Sequence, residues 1–270
     1  MKIRPSAQNF SQWLHCVPAH GDLLFLDDLA DQWDLPVPVL TVREVNDRAA
    51  ELWSLNMRSW YRYSLSRVQF VAWLPVGTFE RLSRKTRVRV LKKHRQLGLK
   101  SMTSQSWTTL SREEKLRYLQ KWYRTFGDGK YEKFPVKKIS QPAWKTLREI
   151  GLAKLVASFP NHSGPNCFAL VLACVSQDAS LADQWLHWPS LERFLTQNSY
   201  RCTAATPSAG DVLVFFQKEA VVHAAFAISP DYYFEKPGQD FYEPYRVVRW
   251  KDRLLDWPKT QVRIYHFNAG

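Results

Sequence analysis

The sequence predicts an α+β protein in two parts: a basic, helix-rich N-terminal region over residues 1–154 and a compact α+β domain over residues 155–270. Three observations carry this. From about residue 155, two apolar helical patterns are followed by a run of short strand patterns, the order of an α+β domain rather than of alternating βαβ units. Charge density falls at the same place, after a segment from Arg81 to Lys100 that is dense in Lys and Arg and holds no acid. The chain is 45% hydrophobic and 14% aromatic over 270 residues, which suffices for a substantial core.

In order, residues 1–20 read as a short helix carrying Phe10, Trp13, Leu14 and Val17. Leu23–Leu26 reads as a strand, and Pro36–Leu40 as an extended segment ending in Thr41. Residues 43–58 fit a helix, with Val45, Ala49, Leu52 and Trp53 on one face. Val68–Trp73 is a strand pattern closed by Pro75 and Gly77, and the basic segment forms a loose amphipathic helix that ends at Gly98. Ser111 followed by Glu114 is a capping-box pattern for a helix over 112–125. Gly127-Asp128-Gly129 marks a turn, 131–140 a Lys-rich loop, and Pro142 the start of a helix through Ile150. The C-terminal part reads helix 167–176, helix 181–197, then strands 211–216, 220–228, 231–236, 245–250 and 261–267.

The net charge of +13 is concentrated in the segment 81–100, which suits a polyanionic partner such as an anionic polymer or surface; a solvated basic face accounts for the same pattern. Nucleic acid is disfavoured, because aromatic residues hardly interleave the basic ones and no helix-turn-helix pattern is present. The four cysteines, Cys16, Cys167, Cys174 and Cys202, show no CxxC spacing, which argues against a zinc knuckle and a disulfide scaffold. Cys167 and Cys174 lie seven residues apart on one predicted helix, roughly 10 Å by the helical rise and too far for a disulfide. Neither a phosphate-cradling Gly-rich loop nor HExxH is present, so no metal and no cofactor is expected. Residues 1–8 lack the apolar core of a signal peptide, and no run of 18 apolar residues exists. The expectation is a cytoplasmic protein, or an extracytoplasmic one exported by another route.

Chemistry centres on Cys167. A Gly164-Pro165 turn runs into an apolar helix that this thiol opens. A thiol in the first turn meets unpaired backbone N–H groups and the positive end of the helix dipole, both of which favour thiolate. A cysteine nucleophile also needs an imidazole to take or balance its proton, and a third group to orient the imidazole. Of the histidines in this part, His187 lies between Trp185 and Trp188 and reads as packing or surface. His162 sits in the approach loop. His223 lies in an apolar strand followed by Ala224 and Ala225, small residues against which a helix can pack closely.

Taken together, Cys167 at a helix start, then Gly210-Asp211-Val212-Leu213-Val214-Phe215-Phe216, then His223-Ala224-Ala225-Phe226-Ala227-Ile228 resembles the NlpC/P60 cysteine peptidases. The resemblance covers about residues 155–255. It departs at Phe168-Ala169, where the family has Ser-Gly, and at Pro165, where a Tyr is often found. It implies a papain-like fold of helices packed on an antiparallel sheet, and a thiol hydrolase acting on an amide in a peptide or a peptidoglycan stem peptide. The family's third catalytic position falls 12 residues after the histidine, on Glu235; Asp231, Gln239 and Glu243 are weaker candidates. The implied catalytic set is Cys167, His223 and Glu235. Two other readings share the scaffold: a non-catalytic binding protein, and an acyltransferase in which an acceptor other than water resolves a Cys thioester.

Overall fold

Period-two apolar patterning builds two separate antiparallel sheets in the computed structural model, which describes residues 3–17, 19–26, 33–47, 54–65, 68–96, 104–125, 139–203, 206–255 and 257–268. The fold is mixed α+β, and the chain divides into two units, Phe10–Gly127 and Met1–Asn9 with Asp128–Gly270.

A short helix, α1 (Ala7–Gln12), leads through a 3-10 turn at Trp13–Cys16 into the first unit's sheet. There β1 (Gly21–Leu26), β2 (Val39–Thr41) and β3 (Phe70–Pro75) pair in the order β1-β3-β2. Gly21 is required where it stands, because a Cβ would strike the Trp73 ring and the Leu74 carbonyl across the ladder. Between the strands lie α2 (Val42–Asp47) and α3 (Leu55–Leu65). After β3 come α4 (Thr78–Arg81), α5 (Arg84–Gln96), α6 (Ser104–Thr109) and α7 (Arg112–Thr125). Side chains alternate across the sheet. Leu24, Leu26, Ala72 and Leu74 pack with Phe79, Leu82 and Val90, whereas Leu23, Phe25 and Val71 pack with Val45 and Leu65.

The Ser111–Glu114 capping box forms at the start of α7, with Ser111 N–H donating to Glu114 Oε2 at 2.8 Å and Glu114 N–H to Ser111 Oγ at 3.3 Å. The single helix expected over 43–58 is instead α2 and α3, with 48–53 outside the described residues. The basic segment is also two helices. Ser83 Oγ accepts from the Thr86 amide at 3.1 Å and starts α5 afresh after Leu82 turns extended. The expected turn at 127–129 and most of the loop at 131–140 fall outside the described residues.

The second unit contains α8 (Gln141–Glu149), α9 (Cys167–Ser176) and α10 (Trp188–Gln197). It reaches back past residue 155, the boundary suggested by composition, because Ala143 and Leu147 of α8, with Ile150 and Leu152, are buried in the same core as α9. The helix expected over 181–197 begins only at Trp188, since Pro189 fits the first turn of a helix but not its interior; Ala179–Asp183 is a separate 3-10 turn.

Six antiparallel strands follow: β4 (Tyr200–Thr203), β5 (Val212–Gln217), β6 (Ala220–Ser229), β7 (Tyr232–Glu235), β8 (Arg246–Arg249) and β9 (Gln261–Phe267), in the order β4-β9-β5-β6-β7-β8. Edge strand β4 was not expected, since Arg201 and Cys202 are exposed and it carries no apolar alternation. Val212, Val214, Ala224, Phe226, Ile228 and Phe234 pack against Leu170, Val171, Ala173 and Cys174 of α9. The alternate residues, among them Phe215, Ala225, Ala227 and Tyr233, form a second apolar layer with Trp250 and Trp257 packed on it. His223 shares a face with Ala225, and Glu235 with Tyr233, so strand periodicity brings both to this second layer. Among the described residues no helix is long and apolar enough to cross a membrane.

Candidate functional site

Cys167 opens α9 for local reasons. Gly164 adopts φ 139°, a conformation that favours glycine, and Pro165 stiffens the turn. Asn166 is extended (φ −133°, ψ 178°) and caps the helix, its Oδ1 accepting from the Ala169 amide at 3.0 Å. Its Nδ2 donates to the Leu186 carbonyl at 2.7 Å, tying the segment before α10 to the start of α9. Helix geometry leaves the Cys167 and Phe168 amides without intrahelical acceptors, at the positive end of the dipole. Cys167 is 7% exposed.

His223 is wholly buried on β6. Its Nε2 lies 2.7 Å from Glu235 Oε2, and its ring stacks on Trp257 with centroids 4.1 Å apart and planes 11° from parallel. Glu235 Oε1 accepts from Arg246 Nε at 2.7 Å and pairs with Arg246 Nη2 at 2.5 Å. Glu235 Oε2 also accepts from Trp257 Nε1 at 3.3 Å. Four donors on two oxygens leave the carboxylate only acceptor duties, so it stays ionised and Nε2 of His223 carries the proton. The other ring nitrogen, Nδ1, has no hydrogen-bond partner of good geometry, and Cys167 acts on the ring besides Glu235, through charge and a side-chain hydrogen-bond contact.

Burial pulls the His223 pKa down, but the charges of Cys167 and Glu235 and their hydrogen bonds more than offset it, and it rises to about 9. Burial pushes Glu235 up, and the Arg246 and His223 charges and hydrogen bonds overcome this, holding it down at about 2. The structure thus places Cys167, His223 and Glu235 in one interacting group.

The other candidates are engaged elsewhere. His162 contacts Ser163 O at 3.0 Å and Asp183 at 3.3 Å. His187 is exposed at the start of α10, its ring 4.6 Å from that of Trp185. His266 lies 2.6 Å from Asp211, which also accepts from the Ser208 amide at 2.7 Å. The Gly210-Asp211 pair therefore anchors β5. Asp231 sits in the turn before β7 and Gln239 in the loop after it; Glu243 accepts from the Asp240 amide at 3.1 Å. Burial drives the Cys174 thiol well above the ordinary range and Cys16 up to about 12, whereas Cys202 is exposed.

Arg246 and Trp257 were missed at the sequence level. Arg246 is directly opposite Glu235 in the β7–β8 register, so strand pairing could have found it. Trp257 follows a 3-10 turn and carries no local signal. Among the described residues, no group of three or more His, Cys, Asp or Glu is arranged to hold a metal ion. No protein-family model, curated protein or solved structure matches this chain.

Proposed function

We propose that the unit containing Cys167 is a thiol hydrolase of NlpC/P60-like, papain-like architecture that cleaves an amide, with a peptidoglycan stem peptide as the first substrate to test. One observation carries the reading. A buried imidazole is held on one nitrogen by an ionised carboxylate and contacted by a thiol in the first turn of a helix. In the proposed reaction Cys167 Sγ, as thiolate, attacks the amide carbon, and the oxyanion draws on the Cys167 amide at the positive end of α9. His223 Nδ1–H gives its proton to the leaving nitrogen as the C–N bond breaks, leaving a thioester. Water then attacks the thioester, His223 takes its proton, and the thiolate leaves from the resulting acid. Glu235 and Arg246 orient the ring throughout.

Iodoacetamide separates this from the binding-protein reading. At pH 7 Cys167 is expected to alkylate at least tenfold faster than Cys202, and His223→Ala to remove that advantage. If Cys167 reacts no faster than Cys202, the catalytic reading is lost. Digestion of peptidoglycan against a Cys167→Ala control then tests the substrate, and an added amine or alcohol acceptor reveals acyl transfer.

The basic segment carries the partner side of the proposal. Thr86 and Val90 turn α5 inward, and His94 Nε2 accepts from the Phe25 amide at 3.2 Å. This docked face leaves Arg84, Lys85, Lys92 and Arg95 exposed along the other side. Such a fixed cationic stripe suits the phosphates of an anionic polymer. Long-chain polyphosphate is expected to bind with steep salt dependence, and changing these four residues to Gln to weaken it at least tenfold. Undiminished binding by that variant would place the contact elsewhere.

A further inference from the structure

The segment between the 3-10 turn at Ala179–Asp183 and α10 runs beside the nucleophile and is tied to both of its flanks. Asn166, just before Cys167, donates from Nδ2 to the Leu186 carbonyl at 2.7 Å, and the ring of Phe168, just after it, lies 6.0 Å from that of Trp188. The near end of the segment is held as well. His162 of the approach loop contacts Asp183 at 3.3 Å, and the Tyr245 hydroxyl donates to the Ala182 carbonyl at 2.8 Å. Gln184 and His187 have extended backbone, so side chains alternate along the segment. Leu186 and Trp188 pack against the core shared with α9, and the alternate pair, Trp185 and His187, is exposed.

A single exposed apolar side chain is ordinary. Trp185, at 46% exposure, differs in being both fixed and paired: its segment is fastened on either side of it, and its ring lies 4.6 Å from that of His187, at 54° to it. His187 occupies the N-cap position of α10 yet makes no capping bond, so the helix does not engage its side chain. An indole face attracts C–H bonds through its negative π cloud, and an imidazole beside it can exchange hydrogen bonds with hydroxyls. A pyranose ring presents both features, a face of C–H bonds and an edge of hydroxyls. An apolar side chain matches only the first.

We infer that Trp185 and His187 form a sugar-binding subsite beside Cys167, the indole stacking on a pyranose face and the imidazole bonding to its hydroxyls. This rests on the thiol-hydrolase reading above and names how its substrate is chosen. In peptidoglycan the stem peptide is joined to a glycan strand, so a platform next to the nucleophile selects the peptide by the sugar that carries it. The ties at Asp183, Leu186 and Trp188 hold the platform in place before any ligand arrives, which lowers the ordering cost of binding.

The test is binding of chitotriose, a trimer of N-acetylglucosamine, to the full chain, followed by the indole Nε1–H NMR signal of Trp185 and assigned with Trp185→Phe. Chitotriose is expected to shift that signal. Trp185→Ala should weaken binding about tenfold, Trp185→Phe should recover part of the loss, and His187→Ala should weaken binding by a smaller factor. Trp185 lies outside the core, so these variants leave the fold in place. In digestion, kcat/KM for a disaccharide-linked stem peptide should exceed that for the free peptide by about tenfold, and Trp185→Ala should bring the ratio toward one. An unmoved Trp185 signal, chitotriose binding undiminished in Trp185→Ala, or no preference for the sugar-linked substrate overturns the inference alone, with Cys167 still fast and dependent on His223. A Trp185 signal moved by N-acetylphenylalaninamide but not by chitotriose also overturns it, and makes the pair a seat for an apolar side chain. A Cys167 no faster than Cys202 overturns the hydrolase reading and, with it, the role of this surface as a substrate subsite, even where chitotriose binds.

Discussion

Replacing Glu235 by Gln is expected to lower turnover by about three to four orders of magnitude and to cost roughly 3–5 kcal/mol of stability. The two side chains have nearly the same shape, so the effect isolates charge and acceptor capacity. Glu235 receives His223, Trp257 and two nitrogens of Arg246. An amide offers one acceptor oxygen, and its NH2 must face either Arg246 or His223, donor against donor. A buried guanidinium then loses its counter-charge, and the imidazole loses the group that fixes its proton on Nε2. The pH dependence follows from the depressed pKa. Glu235 is held at about 2, below the ordinary 4.5, so its contribution to stability is full above the ordinary value and is lost as pH falls through about 2. Denaturant unfolding of the two proteins should therefore differ most at neutral pH and converge toward pH 2. A difference that stays constant over that range would mean the carboxylate is not charged in the fold.

Local chemistry made much of this site legible in advance. The start of α9 followed from the Gly164-Pro165 turn, whose effect lies within a few residues of Cys167; the Asn166 cap adds to it. The β5–β9 run followed from period-two patterning, and the shared face of His223 and Glu235 is a consequence of that period once their strands pair. What stayed hidden depends on contacts between distant segments. Arg246 needs the β7–β8 register, and Trp257 needs a chain path after β8 that no short pattern encodes. Lys236 reads in sequence as one more surface charge; only the β7–β8 connection folding inward after Glu235 buries it. The same limit explains the split helices. Hydrophobic periodicity runs smoothly through Leu82–Ser83 and across 181–197, and the breaks come from a serine cap and a proline, single residues that a window average dilutes.

Removing the His223 ring should slow Cys167 alkylation at pH 7 by about two orders of magnitude or more, and the intact ring should govern how that reactivity changes with pH. Its folded pKa, about 9, lies above the ordinary 6.5 because the Cys167 and Glu235 charges outweigh the cost of burial. A raised cationic pKa stabilises the fold fully below about pH 6.5, and that contribution is lost as pH rises through about 9. Across the neutral range the ring is therefore an imidazolium facing the thiol, the proton donor that amide cleavage needs for its leaving nitrogen. Turnover should fall on an alkaline limb near pH 9 rather than near 6.5. Imidazole NMR checks the assignment directly, since Cys167→Ala and Glu235→Gln each remove one of the two charges that raise the pKa. Each variant should lower the His223 midpoint, and the double variant should leave burial unopposed and carry it below 6.5. A wild-type midpoint at or below 6.5 would make the ring neutral at working pH, and Cys167 would then lack the cation that the hydrolytic mechanism requires.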